Sequence, residues 1–205
     1  MEHARDTLAF WFEFASPYCY LTAMRIEPLA AAAGIRIAWQ PFLLGPIFQR
    51  RPNQPSPAQD APPPEARYRQ RDVERLCLDY GLPLTWPSRY PRISLLGSRV
   101  ALLAADEGWA PAFVKAVYHA SFAEDRDIGT ETVIAAILSA LGHAPDPVIA
   151  RATTPANKAR LAAQVEQAVA AGIFGAPSFI AADGELFWGN DRLEQALAWV
   201  AAKRG

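Results

Sequence analysis

Hydrophobic spacing changes character several times along this chain. Residues 8–14, Leu-Ala-Phe-Trp-Phe-Glu-Phe, form a continuous apolar run broken by one acid. A run that short and aromatic predicts a strand buried on both faces. Ser16-Pro17 follows. The serine oxygen can accept from free helix N–H groups, and proline is pre-set for the first turn. Leu21, Met24 and Leu29, with an alanine tail to Ala33, predict a helix ending at Gly34. Ile35-Arg36-Ile37-Ala38-Trp39 then alternates as a second strand does. The opening is β-α-β, for which a parallel pair with a right-handed crossover is expected.

Residues 41–64 carry Pro41, Pro46, Pro52, Pro55, Pro57, Pro62, Pro63 and Pro64, with Asn, Gln and Ser between them. This predicts a long loop, either a solvated linker or part of a site. From 65 to 171 the pattern is helical. Val73, Leu76, Cys77 and Tyr80 make one stripe, closed by Gly81 and Pro83. Ser94 opens a run through Leu95, Leu96, Val100, Leu102 and Leu103 to Gly108, and Phe113, Val114, Val117 and Tyr118 follow. Thr130 begins a helix ending at Gly142, and Thr154-Pro155 begins the last long one, ending at Gly172.

Strand signals return at Ser178-Phe179-Ile180-Ala181 and Glu185-Leu186-Phe187-Trp188, with the hairpin dipeptide Asp183-Gly184 between them. Asp191-Arg192-Leu193-Glu194 reads as a capping box, with Asp191 as N-cap of a final helix. The order β-α-β, helical block, β-β-α predicts an α/β chain: a thioredoxin-like fold with a large all-helical insertion. Residues 1–50 and 172–205 would form the thioredoxin-like domain. Residues 51–171 would form the proline-rich loop and helical insertion.

Composition narrows the function. The chain has 205 residues, a net charge of −1 and 51% hydrophobic residues. That profile gives no basic face, so nucleic acid is not an expected partner. The opening apolar run is too short to span a bilayer and lacks the pattern of a secretory signal. No membrane association and a cytoplasmic location are therefore the expectations. Cys19 and Cys77 are then expected as free thiols. No metal-ligand spacing is present. His3, His119 and His143 sit in no nucleophile-like motif, which argues against a Ser/His triad.

Three groups have two readings each. Ser16 is a helix cap, or a hydroxyl facing the loop at Ala176-Pro177, where a thiolate would meet it and the helix N-terminus. Cys19, in a Ser-x-x-Cys pattern, is a small buried residue or the remnant of a redox pair. Asp191 and Arg192 are a cap and a surface charge, or together they face the zwitterionic end of a peptide. The Asn190 amide would add a hydrogen bond. Phe187-Trp188 reads as core rather than substrate wall.

Ser16-Pro17-Tyr18 after an aromatic strand, Gly175-Ala176-Pro177-Ser178-Phe179, and Phe187-Trp188-Gly189-Asn190-Asp191-Arg192-Leu193 carry a resemblance over nearly the whole chain. The chain resembles the kappa-class glutathione transferases and 2-hydroxychromene-2-carboxylate isomerases of the DsbA clan, and the Trp-Gly-Asn-Asp-Arg-Leu motif leans toward the isomerases. The resemblance implies a homodimer that uses glutathione and a small aromatic or conjugated carbonyl substrate in aromatic-compound breakdown. It implies that Ser16 hydrogen-bonds the glutathione sulfur. The Ala176 backbone before Pro177 would pair with the cysteinyl part. Asn190, Asp191 and Arg192 would hold the γ-glutamyl end, and Asn53 would contact glutathione from the loop. Two departures stand out. Relatives commonly carry a lysine shortly after the loop, where this chain has Pro64-Glu65-Ala66-Arg67-Tyr68, and they usually carry serine at the position of Cys19. The alternatives implied are a glutathione transferase or peroxidase acting on electrophiles, and a thiol oxidoreductase using Cys19.

Overall fold

A computed structural model describes residues 6–50 and 63–203. Its centre is strand β1 (Thr7–Phe12). It pairs in parallel with β2 (Arg36–Pro41), in register from Thr7 opposite Arg36 to Phe12 opposite Pro41. On its other edge it pairs antiparallel with β3 (Ser178–Ala181), which pairs antiparallel with β4 (Leu186–Trp188). The sheet order is β2-β1-β3-β4.

The aromatic run in β1 has its explanation in the two faces of this sheet. Leu8, Phe10 and Phe12 point into a large core shared with the helices, whereas Trp11 joins a second core on the opposite face with Phe42, Val165 and Ala168. Strand side chains alternate, so a strand covered on both sides must be apolar throughout. Phe10 stacks across the strand pair on Phe179, at 5.7 Å between ring centroids.

Helix α1 (Pro17–Ala32) makes the crossover to β2. The expected loop over 41–64 is corrected in part, because Leu44–Gln49 form a short helix, α2. Pro46 falls in its first turn, where the missing N–H costs nothing, and Leu44 and Ile47 bury into the second core. Asn53 and the rest of that loop up to residue 62 lie outside the described residues.

The helical block consists of α3 (Pro63–Tyr80), α4 (Leu95–Glu107), α5 (Ala110–Phe122), α6 (Glu131–Ala140), α7 (Pro145–Ala152) and α8 (Pro155–Ala170). Val100, Phe113, Val117 and Tyr118 continue the same core as Phe10 and Phe12. The block therefore packs onto the sheet without a break. Helix α7 begins with Pro145 at its first turn, a separate element within the predicted helical stretch. A 3₁₀ turn (Asn190–Arg192) leads into the last helix, α9 (Leu193–Ala202). Among the described residues no helix is long and apolar enough to cross a membrane.

Candidate active site

The turn between β1 and α1 is closed by the Ser16 N–H donating to the Glu13 carbonyl at 3.0 Å. Ser16 is extended (φ −84°, ψ 116°) and its Oγ accepts from the Cys19 N–H at 3.2 Å. The expected cap is thus present. The same hydroxyl donates to the Ala176 carbonyl at 3.2 Å, across 160 residues of sequence. The Ala176–Pro177 peptide bond is cis. Ser16 and the proline loop therefore face each other as the sequence suggests.

The third segment joins them through the Gly189 N–H, which donates to the Pro177 carbonyl at 3.0 Å. Gly189 has φ +117°, and a Cβ there would lie 2.4 Å from the Asp191 Oδ1. Only glycine suits both conditions. This turn overturns the capping-box reading of Asp191. The cap position of α9 is Arg192, with no side-chain cap, because the 3₁₀ turn places Asp191 inside it. The Asp191 carboxylate instead pairs with Arg192 Nη1 at 3.2 Å, and the two side chains are 72% and 51% exposed. The charged pair is left open to a ligand. Asn190 is held beneath it. It is buried, its Oδ1 accepts from Thr22 Oγ1 at 3.1 Å, and its Nδ2 donates to Tyr80 Oη at 3.3 Å.

Trp188 corrects a second expectation. Phe187 is core, but Trp188 is 52% exposed, because neighbours on a strand face opposite ways. Its ring lies 4.8 Å from that of Phe174, and its Nε1 would be 2.2 Å from any Cβ at position 175. Gly175 is the residue that lets this indole lie over the loop before Pro177.

Behind Ser16 is a buried polar group of side chains. Glu13 is buried, and loss of hydration raises its carboxyl from 4.5 to about 7, opposed by the Ala15 N–H. Cys19 has no exposed surface, and burial pushes its thiol up to about 12, opposed by the hydrogen bond with Ser16. Tyr118 Oη donates to the Glu13 carbonyl at 3.0 Å. Cys77 is also buried, with its thiol pushed to about 11 by desolvation. Neither cysteine presents a thiolate at neutral pH, so Cys19 fits the small buried reading.

Beside α1 a cavity of about 400 Å³ is lined by Tyr18, Pro64, Glu65, Tyr68 and Arg69. Tyr18 Oη donates to Asp72 Oδ2 at 2.9 Å, which pins its ring. Burial pushes the Tyr90 phenol up to about 12, with the positive charge of Arg69 opposing the shift and Glu13 adding to it. Tyr90 thus interacts with Arg69 of the cavity and with Glu13 behind Ser16. Arg67, the nearest basic residue to the departure at Glu65, is exposed and does not line the cavity. Sequence reading missed Arg69, although it lies four residues after Glu65 and so on the same helical face. Tyr90 had no local signal at all. Among the described residues no group of three or more His, Cys, Asp or Glu could hold a metal ion.

A helix-start serine, a cis-proline loop and a charged turn on a four-stranded mixed sheet define a thioredoxin-fold site with a hydroxyl in place of an attacking thiol. The chain belongs to the DSBA-like thioredoxin domain family, which it matches over residues 7–200. It is similar to the 2-hydroxychromene-2-carboxylate isomerase of Sphingobium xenophagum, 29% identical over 92% of this chain and 94% of that protein. The enzyme of the same name from Pseudomonas putida is 28% identical, over 90% and 89%. A solved 2-hydroxychromene-2-carboxylate isomerase superposes with a TM-score of 0.85 at 27% identity, over 96% of this chain and 97% of that one. The cytosolic disulfide reductase DsbM of Pseudomonas aeruginosa, 18% identical with a TM-score of 0.62 over 96% of each chain, shares the fold.

Proposed function

We propose that the protein is a glutathione-dependent cis–trans isomerase acting on substrates of the 2-hydroxychromene-2-carboxylate type in aromatic-compound catabolism. The observation that carries this reading is the half-buried Ser16 hydroxyl, set at a helix start and turned toward the cis-proline loop. The names of the similar proteins support the substrate class.

The residues present fit glutathione. Ser16 offers a donor, the first turn of α1 offers the positive end of its dipole, and both favour a thiolate over a thiol. Asp191 and Arg192 offer opposite charges for an ammonium and a carboxylate. Glutathione held by these residues would supply a thiolate nucleophile able to add reversibly to a conjugated carbonyl. Ser16, whose hydroxyl donates to the Ala176 carbonyl, would offer that proton to the glutathione sulfur. Pro177 and Gly189 tie the loop to the charged turn, so ligand orientation is set before chemistry begins. Buried Asn190 keeps that turn in place through Thr22 and Tyr80.

The test has two parts. Calorimetry is expected to show glutathione binding, and the hydroxychromene absorbance is expected to decay only when glutathione is present. Turnover without glutathione would overturn the proposal. Absent isomerisation beside brisk conjugation of chlorodinitrobenzene would move the protein to the transferase reading.

A further inference from the structure

The cavity beside α1 holds one cation and one anion among its lining residues, on neighbouring turns of α3, Arg69 and Glu65. Its other walls are the rings of Tyr18 and Tyr68 and the ring of Pro64. A site of flat apolar walls with one guanidinium selects a planar ring that bears an acid group. Tyr18 belongs to the first turn of α1, two residues after Ser16, so the helix start that carries the proposed thiol site also supplies one wall of the cavity. Arg69 also interacts electrostatically with the buried phenol of Tyr90.

We propose that Arg69 is a specificity-determining residue that receives the carboxylate of the aromatic acceptor, and that Glu65 weakens this binding by repulsion. The inference deepens the proposed function and rests on its assignment of the thiol to Ser16. A carboxylate is common to the acceptor and to glutathione, and the structure favours the acceptor. The Asp191–Arg192 pair serves the peptide on the proline-loop side. The Arg69 cavity lies on the α3 side, where Tyr18 and Tyr68 offer ring surface that a peptide backbone does not need. A guanidinium binds a carboxylate through two parallel N–H donors, which fixes the ring's orientation as well as its affinity.

The experiment measures binding of chromone-2-carboxylate, a planar non-reacting probe, and of its methyl ester to glutathione-loaded protein. Circular dichroism confirms that each variant folds. Arg69→Gln is expected to weaken the acid roughly tenfold to a hundredfold and to leave the ester and glutathione itself unchanged. Arg69→Lys, which keeps the charge but not the fork, is expected to fall between. Glu65→Gln is expected to tighten the acid a few-fold. Arg71→Gln, which removes a surface ion pair with Glu74, serves as the control and should change nothing. Equal losses for acid and ester would overturn the assignment. So would a loss confined to glutathione, which would give Arg69 to the peptide instead. These readings do not depend on turnover. If the protein isomerises nothing yet Arg69→Gln still separates acid from ester, the isomerase reading fails and the carboxylate site stands.

Discussion

Two serines in this molecule begin helices in nearly the same way. Ser16 accepts from the Cys19 N–H at 3.2 Å and donates to the Ala176 carbonyl at 3.2 Å. Ser94 accepts from the Gly97 N–H at 3.1 Å and donates to the Ile128 carbonyl at 2.7 Å. Each caps a helix and reaches a distant carbonyl with the same hydroxyl. The difference is in what surrounds them. Ser94 is 1% exposed and Ile128 is wholly buried, so that hydroxyl has no other partner to turn to. Ser16 is half-buried at the mouth of the proline loop, where its proton can be offered to something new. Capping chemistry is thus neutral about function, and access separates a structural cap from a candidate catalytic one.

The comparison breaks first at Ser16→Ala. Turnover in the absorbance assay is expected to fall about a hundredfold to a thousandfold, as when one donor to a developing anion is removed. Denaturant unfolding should show a loss of only about 1 kcal/mol, the cost of a cap. Full turnover in this variant would remove Ser16 from the chemistry.

A second large effect concerns the buried acid behind Ser16. Glu13 has a folded pKa of about 7, above its ordinary 4.5. The folded protein holds that proton more tightly, so stability falls as pH rises from about 4.5 to about 7 and stays lower above it. The contribution is on the order of 3 kcal/mol. Glu13→Gln should flatten that slope, and unfolding curves at pH 5 and pH 8 measure it. An unchanged slope would show that Glu13 is not responsible.

Ser94→Ala is the mirror of the first prediction. It leaves the Ile128 carbonyl unpaired in the core and is expected to cost about 2–3 kcal/mol. Turnover per folded molecule should stay at the wild-type value. A selective loss of turnover there would erase the contrast between the two serines.

Smaller effects are expected at the exposed pair and at the cysteines. Asp191→Asn and Arg192→Gln should each weaken glutathione roughly tenfold in calorimetry, with little change in stability, because exposed ion pairs contribute little to folding. Cys19 and Cys77 should resist an aromatic disulfide reagent in native protein and react only on unfolding, as their burial requires. Fast labelling of Cys19 in native protein would reopen the redox reading.

Much of the fold was legible because its signals are local. Ser16-Pro17, Thr154-Pro155 and Asp183-Gly184 each declare an element boundary through their own backbone preferences, and each lies where its dipeptide predicts. Helix α2 was hidden because prolines masked the spacing of Leu44 and Ile47. Asp191 matched a capping box but was drawn into a 3₁₀ turn by Gly189, whose positive φ no spacing rule reports. Trp188 resembled core by composition, and only the pairing of β4 with β3 shows which of two adjacent aromatics faces out.

The sequence by itself determined the order of elements, the capping serine and the absence of an attacking cysteine at that helix start. These depend on neighbours within a few residues. Tertiary structure alone decided that Ser16 meets Ala176 across 160 residues, that Ser94 is sealed while Ser16 is not, and that Arg69 rather than Arg67 enters a cavity. Access and proximity are properties of the packed chain. A hydroxyl carries the same donor and acceptor wherever it stands, and burial determines which of its partners can be exchanged.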